Sequence, residues 1–263
     1  MEVALIITTY NAPLKLRLVL NSAVNQSRLP DEIIIADDGS DENTASIINE
    51  FSKNSPIQII HSWQSDKGFR AAKSRNKAIA KSRSDYIILV DGDMILHKDF
   101  IKDHYLNSKK GYFIQGTRAL INDKLTIKIE NSQYYEKYIG FFSPGIKNRK
   151  NTIHSGFLSK FFSRKSRNLK GIKTCNLSFF KSDCIKINGF NNDFEGWGRE
   201  DSEFIVRLFN IGLKRLNLRF QAIQFHLYHQ ENSKKYLDKN NEILKNAIKK
   251  KSVYCKDGIS RFL

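Results

Sequence analysis

Short apolar runs alternate with longer mixed stretches from Met1 to about Leu106. Val3 to Thr8, Glu32 to Ala36, Ile57 to Ile60 and Tyr86 to Val90 are rich in isoleucine, leucine and valine and end in turn residues, the pattern of strands buried on both faces. The stretches between them are long enough for helices, so the order is β-α-β repeated, which builds a mostly parallel sheet flanked by helices. Pro13 fits the first turn of the first helix, and Ser40 can cap the second. Gly39 and Gly68 mark turns where the chain leaves a strand. The expected fold is α/β, Rossmann-like, with residues 1–106 as its first half.

Beyond Gly111 the alternation fades. From Lys137 to Lys181 there is no acidic residue, while basic side chains such as Lys147, Arg149, Lys160, Arg164 and Lys173 recur among Phe141, Phe142, Phe157, Phe161 and Phe162. Two readings stand: a segment lying on an anionic membrane, or a solvated loop whose rings dock on the core. Helical spacing returns from Arg199 to Asn210 and in a Lys-rich run from about Ser233 to Lys251, a surface helix or a second membrane contact. The division is 1–106, then 107–231 with its basic insertion at about 137–181, then 232–263.

Composition narrows the partners. The formal charge of +17 over 263 residues favours anionic ones: nucleotides, acidic lipids, acidic glycans or nucleic acid. Cys175, Cys184 and Cys255 are odd in number and lack zinc or disulfide spacing, which fits a reducing compartment. No apolar run approaches the ~20 residues that span a bilayer, and the start lacks a signal peptide's pattern. The expected place is cytoplasmic, with contact at the membrane's inner face.

Six clusters carry candidate chemistry. Thr8-Thr9-Tyr10-Asn11 ends the first strand and Asp37-Asp38-Gly39-Ser40 the second. Asp38 can accept hydrogen bonds from a base or ribose, while Asp37 reads equally as the anchor of a capped turn. In Lys67 to Asn76, Arg70 and Arg75 open a helix whose amino terminus could hold a diphosphate. Asp91-Gly92-Asp93 follows the fourth strand, where open α/β sheets place ligands. Hard cations take carboxylate oxygen, so Asp93 is a candidate ligand for Mg²⁺ or Mn²⁺, and Asp91 a ligand or ribose contact. His226 and His229 are three apart and could join the cation, favouring manganese, or be structural. Finally, Glu195-Gly196-Trp197-Gly198-Arg199-Glu200-Asp201 offers a carboxylate base in Asp201, a hydroxyl-holding Glu200 and an indole on which a sugar ring can stack.

In this order the clusters resemble the inverting family 2 glycosyltransferases with the nucleotide-sugar-binding A-type fold. The later part is similar to the galactosyltransferase-type acceptor region of chondroitin polymerases and β-1,4-galactosyltransferases. The match covers roughly Val3 to Phe100 and Thr174 to Glu231, through Asp91-Gly92-Asp93, Asn188-Gly189-Phe190, Gly196 to Asp201 and Tyr228-His229-Gln230-Glu231. Arg199 stands where the family's Trp-Gly-Gly-Glu-Asp commonly has its second glycine, which bears on backbone geometry and acceptor choice.

The resemblance implies a UDP-sugar donor held by Thr8, Thr9, Tyr10, Asp38, Arg70, Arg75, Asp91 and Gly92, and an Mn²⁺ or Mg²⁺ ion held by Asp93, His229 and His226. Trp197, Gly198 and Arg199 would line the acceptor site, with Asp201 and Glu200 catalytic. The expected reaction moves a hexose or N-acetylhexosamine to a hydroxyl of a glycan or glycolipid, such as a lipopolysaccharide or capsule precursor. A nucleotidyltransferase is a rival, but no glycine-rich phosphate loop follows the first strand. A basic nucleic-acid-binding protein is another and leaves the carboxylates unexplained, so no nucleic acid is expected among the partners.

Overall fold

The computed structural model describes residues 1–230 and 233–263. Its first half is β1 (Val3–Thr9), α1 (Pro13–Val24), β2 (Glu32–Asp37), α2 (Glu42–Asn54), β3 (Gln58–Trp63), α3 (Ala71–Lys81) and β4 (Tyr86–Asp91). The four strands are parallel in the order β3-β2-β1-β4. The chain winds outward from β1 to β3 and then returns to the other side of β1. That reversal leaves a crevice beyond the carboxyl ends of β1 and β4, where Thr8, Thr9 and Asp91 lie.

Alternation along each strand divides the core between the two faces of the sheet. Ala4 and Ile6 of β1 join Ala72, Ala78 and Ile79 of α3 on one face; Val3, Leu5 and Ile7 join Leu16, Val19 and Leu20 of α1 on the other. Pro13 starts α1 as expected. Ser40 does not cap α2. Asp41 does, accepting from the Thr44 backbone N–H, while the Ser40 hydroxyl accepts from the Asn11 N–H.

The remainder is β5 (Met94–Leu96), α4 (Phe100–Asn107), β6 (Tyr112–Gln115), β7 (Thr117–Ile121), α5 (Asp123–Ser132), β8 (Ile146–Lys147), α6 (Gly156–Phe162), β9 (Arg164–Ser166), β10 (Asn176–Phe180), α7 (Lys181–Lys186), α8 (Glu200–Asn210), β11 (Lys214–Asn217), β12 (Ile223–His226) and α9 (Leu237–Lys249). The main sheet continues β4-β10-β6-β11-β9, with β10 antiparallel to both its neighbours. A second sheet runs β5-β12-β7-β8. Its β5 to β12 register sets His226 opposite Met94, and the Leu227 N–H bonds the Asp93 carbonyl. A sheet register thus brings two distant motifs together.

The rings of the basic insertion do not dock on the core: Phe142, Phe157 and Phe161 are 87%, 71% and 67% exposed. α9 begins at Leu237, four residues later than its spacing predicts. Among the described residues no helix is long and apolar enough to cross a membrane. All three cysteines are buried and unpaired. Glu231, the last residue of the Tyr228 to Glu231 motif, lies outside the described residues.

Candidate active site

A cavity of about 1500 Å³ opens over the crevice, larger than a single small ligand needs. It is lined by Thr8, Thr9, Tyr10, Asp38, Arg75, Asp91, Gly92 and Asp93 from the first half, and by Trp197 to Asp201, His226 and His229 from the second.

Arg75 is the junction between the halves. Buried on α3, it donates from Nε to Thr8 Oγ1 (3.1 Å), from Nη1 to Glu200 Oε1 (3.2 Å) and from Nη2 to Asp91 Oδ1 (3.2 Å). Burial would lower its pKa, but Asp91 and Glu200 outweigh burial and raise it. Asp91 is itself pushed above the usual carboxylate range by burial, against the pull of Arg75. The same helix anchors the scaffold. Asn76 donates to the Phe190 carbonyl and accepts from the Phe190 N–H, and Phe190 stacks on Phe204 of α8 at 4.1 Å. One turn of α3 therefore fixes Asp91 and α8 together.

Asp93 Oδ2 lies 3.4 Å from His226 Nε2 and 3.2 Å from His229 Nε2, separations suited to ligand atoms around one cation. Burial would raise the Asp93 pKa, yet the two imidazoles hold it low. Its Oδ1 is buried with no hydrogen-bond partner, an acceptor left for a cation. These residues fit a divalent ion, and two imidazoles beside a carboxylate favour manganese over magnesium.

On the nucleotide side, Asp38 accepts from Gln64 Nε2 and from the Arg70 backbone N–H, both at 2.6 Å, and the Tyr10 hydroxyl donates to Asp66. Gly92 leaves room for Thr9: a Cβ there would sit 3.0 Å from Thr9 Oγ1. Arg70 departs from expectation, since its guanidinium bonds the Ser65 carbonyl and is not among the lining groups. Asp37 is a turn anchor, accepting from the Gly39 and Ser40 N–H groups and lying 2.8 Å from His61 Nε2.

The Glu195 to Asp201 loop is held from behind. Asn240 of α9, fully buried, donates to the carbonyls of Glu195 and Gly198, and the Gly196 N–H bonds the Phe69 carbonyl. Gly196 has a positive φ, and a Cβ on it would meet the Tyr236 ring at 2.5 Å. Trp197 is 43% exposed and lines the cavity, with Lys234 Nζ over its ring 6.0 Å from the centroid. Asp201 accepts from the Ser202 N–H. Burial first, then the Glu200 carboxylate, push its pKa up to about 7, the range of a base working near neutrality.

Sequence reasoning did not assign Arg118, Lys170, Lys173 or Cys175 to the site, yet they also line the cavity. No motif flags them. Arg118 reaches the site because β7 pairs with β12, Gln224 lying opposite Arg118.

The profile described as "Glycosyl transferase family 2" matches residues 4–169, and that described as "N-terminal domain of galactosyltransferase" matches residues 157–230. The hyaluronan synthase of Pasteurella multocida is 29% identical over 80% of this chain and 23% of its own length. The chondroitin synthase of Escherichia coli is 26% identical over 87% of this chain and 34% of its own. The chain thus spans about a quarter to a third of these relatives. Among solved structures, S. aureus TarS 1-349 superposes with a TM-score of 0.65 at 14% identity, covering 100% of this chain and 68% of that one. With a family profile matched over more than half its length, the chain belongs to glycosyl transferase family 2.

Proposed function

We propose that this glycosyltransferase moves a hexose or N-acetylhexosamine from a UDP-sugar to a hydroxyl of a surface glycan precursor, with inversion and with help from a divalent cation. The observation that carries the reading is the Arg75 junction, which joins Asp91 to Glu200 and so sets the diphosphate side beside Asp201. Structures of TarS are described in complex with UDP and with UDP-GlcNAc, which supports a UDP-sugar donor here. Nucleotidyl transfer and nucleic-acid binding would leave the Trp197 to Asp201 loop without a task.

In this reading Thr8, Thr9, Tyr10, Asp38 and Gly92 cradle the nucleotide, and Trp197 carries the acceptor ring. Glu200 orients the acceptor hydroxyl while Asp201 takes its proton as the oxygen attacks the anomeric carbon. A manganese or magnesium ion held by Asp93, His226 and His229 would neutralise charge on the departing UDP. The 1–106 and 107–231 halves act as one domain, because β6, β10 and β11 extend the sheet that β1 to β4 begin. We place the enzyme at the inner face of the cytoplasmic membrane, held by its basic insertion.

A thermal-shift screen of UDP, GDP and CDP with and without manganese tests the reading, since a ligand that binds only the native state raises Tm. UDP should stabilise in a manganese-dependent way, and Asp93→Ala should remove the manganese dependence. A protein indifferent to every nucleotide would overturn it.

A further inference from the structure

The first turn of α8 carries both the candidate base and backbone donors that lack a helical partner. A helix leaves its first N–H groups without an intrahelical acceptor, and a cap side chain usually takes some of them. Here the cap residue is Arg199, in the left-handed region at φ 80°, and its side chain makes no cap bond. The Glu203 N–H reaches back to the Arg199 carbonyl, so the Ser202 N–H has to find an acceptor elsewhere. It finds Asp201 Oδ1 at 2.6 Å. The Ser202 hydroxyl donates to the same oxygen at 3.2 Å.

A carboxylate oxygen has two lone pairs, and on Oδ1 Ser202 takes both. Among the described residues Oδ2 makes no hydrogen bond. Asp201 and Ser202 both line the cavity, which makes Oδ2 the oxygen left for a ligand. Burial, then Glu200 of the same helix, push the Asp201 pKa up; the Ser202 N–H, Arg75 of α3 and the Ser202 hydroxyl pull it down. Arg75 in turn holds Asp91 at the end of β4.

We propose that Ser202 is a positioning residue for the base: its two donors occupy Asp201 Oδ1 and leave Oδ2 as the atom that takes the acceptor's proton. The inference rests on the transferase reading above and specifies its base at the level of one oxygen. In the step, the acceptor O–H proton passes to Oδ2 while the acceptor oxygen's electron pair forms the bond to the anomeric carbon. The bond from that carbon to the diphosphate breaks, and its electron pair leaves on UDP. A carboxylate anchored through one oxygen is held against rotation about its Cβ–Cγ bond, so Oδ2 meets the hydroxyl in a fixed orientation. Donors to the anion also favour its charged form, which keeps the base available near neutrality.

The test reads the carboxyl directly. Protein carrying carbon-13 in its aspartate carboxyls is titrated by NMR across neutrality, and the Asp201 signal is the one lost in Asp201→Asn. Ser202→Ala removes the hydroxyl but keeps the N–H, so the midpoint should rise from about 7 by roughly half to one pH unit. Ser202→Thr restores the hydroxyl and should titrate like the parent. The Ser202 amide proton should shift with the same midpoint as the carboxyl it bonds. Alanine suits a helix, so Tm should hold, and a merely structural serine would leave the midpoint in place. The pH of half-maximal UDP release from UDP-N-acetylglucosamine should move with the NMR midpoint.

A midpoint unmoved or lowered in Ser202→Ala, a Ser202→Thr protein that titrates like the alanine variant, or an amide that ignores the titration would each overturn the inference. Failure to release UDP from this donor, or undiminished release in Asp201→Asn, is read separately and counts against the transferase reading.

Discussion

Asp201 lies in the first turn of α8, where a helix favours negative charge, yet burial and Glu200 raise its pKa to about 7. Two outcomes follow. The first is kinetic: kcat/KM should climb as pH rises through about 7 and level off above it. Asp201→Asn should lower kcat by roughly 10²- to 10⁴-fold while UDP affinity stays unchanged; undiminished turnover in that variant would remove Asp201 from the chemistry. The second is thermodynamic, and its sign is fixed by the direction of the shift. The native carboxyl keeps its proton up to about 7, whereas an unfolded aspartate loses it near 3.9. Between those values the native state binds more protons, so this group's contribution to stability falls as pH rises from about 4 to 7. Asp201→Asn lacks that slope, and Tm measured across the window should show the variant gaining on the parent by a few degrees.

At the scale of elements, α8 is held by a buried ion pair. Arg207, fully buried, donates from Nε and Nη2 to both Glu203 oxygens at 2.8 and 2.7 Å. Its Nη1 reaches the Ile187 and Gly189 carbonyls, tying α8 to the Asn188-Gly189-Phe190 turn. Arg207→Ala would strand a buried carboxylate and two carbonyls, so urea unfolding should show a loss of about 3–5 kcal/mol. Gly196→Ala has a different signature. Its Cβ would displace the Tyr236 ring at the start of α9, so kcat should fall more than stability does. β1 to β4 and the ends that carry Thr8, Asp38 and Asp91 are legible in the sequence because apolar runs and turn residues are local signals. Asp41 taking the cap from Ser40 is a choice between neighbouring residues with equal cap propensity, settled when Asn11 claims the Ser40 hydroxyl. β5, β7 and β12 are not legible: three to five residues long, they are fixed by pairing across more than a hundred positions. Arg118 enters the cavity only through that pairing. Arg75 is legible as a basic residue near phosphate, but its junction between Asp91 and Glu200 depends on α8 arriving from the far end of the chain.

For the whole molecule, the excess of 44 basic over 27 acidic residues is spread unevenly, and the acid-free insertion carries a distinct share of it. On α6, Phe157 and Phe161 are one turn apart with ring centroids 5.0 Å from each other, and both are exposed with Lys160 between them and Arg164 and Lys165 just beyond. An interfacial anchor needs both ingredients: rings at the headgroup boundary and cations against acidic lipid, each cation worth about 1 kcal/mol near the surface. Co-sedimentation with vesicles rich in phosphatidylglycerol should exceed that with phosphatidylcholine alone and weaken as salt shortens the Debye length. Phe157→Ser with Phe161→Ser should cut partitioning roughly a hundredfold or more, given about 1.5–3 kcal/mol for each large apolar side chain removed from water. UDP binding should be untouched, because α6 does not line the cavity. Partitioning that ignored lipid charge would remove the electrostatic half of the reading, and partitioning that ignored both phenylalanines would move the anchor to α9, where Ile248 is exposed among Lys245, Lys249 and Lys250.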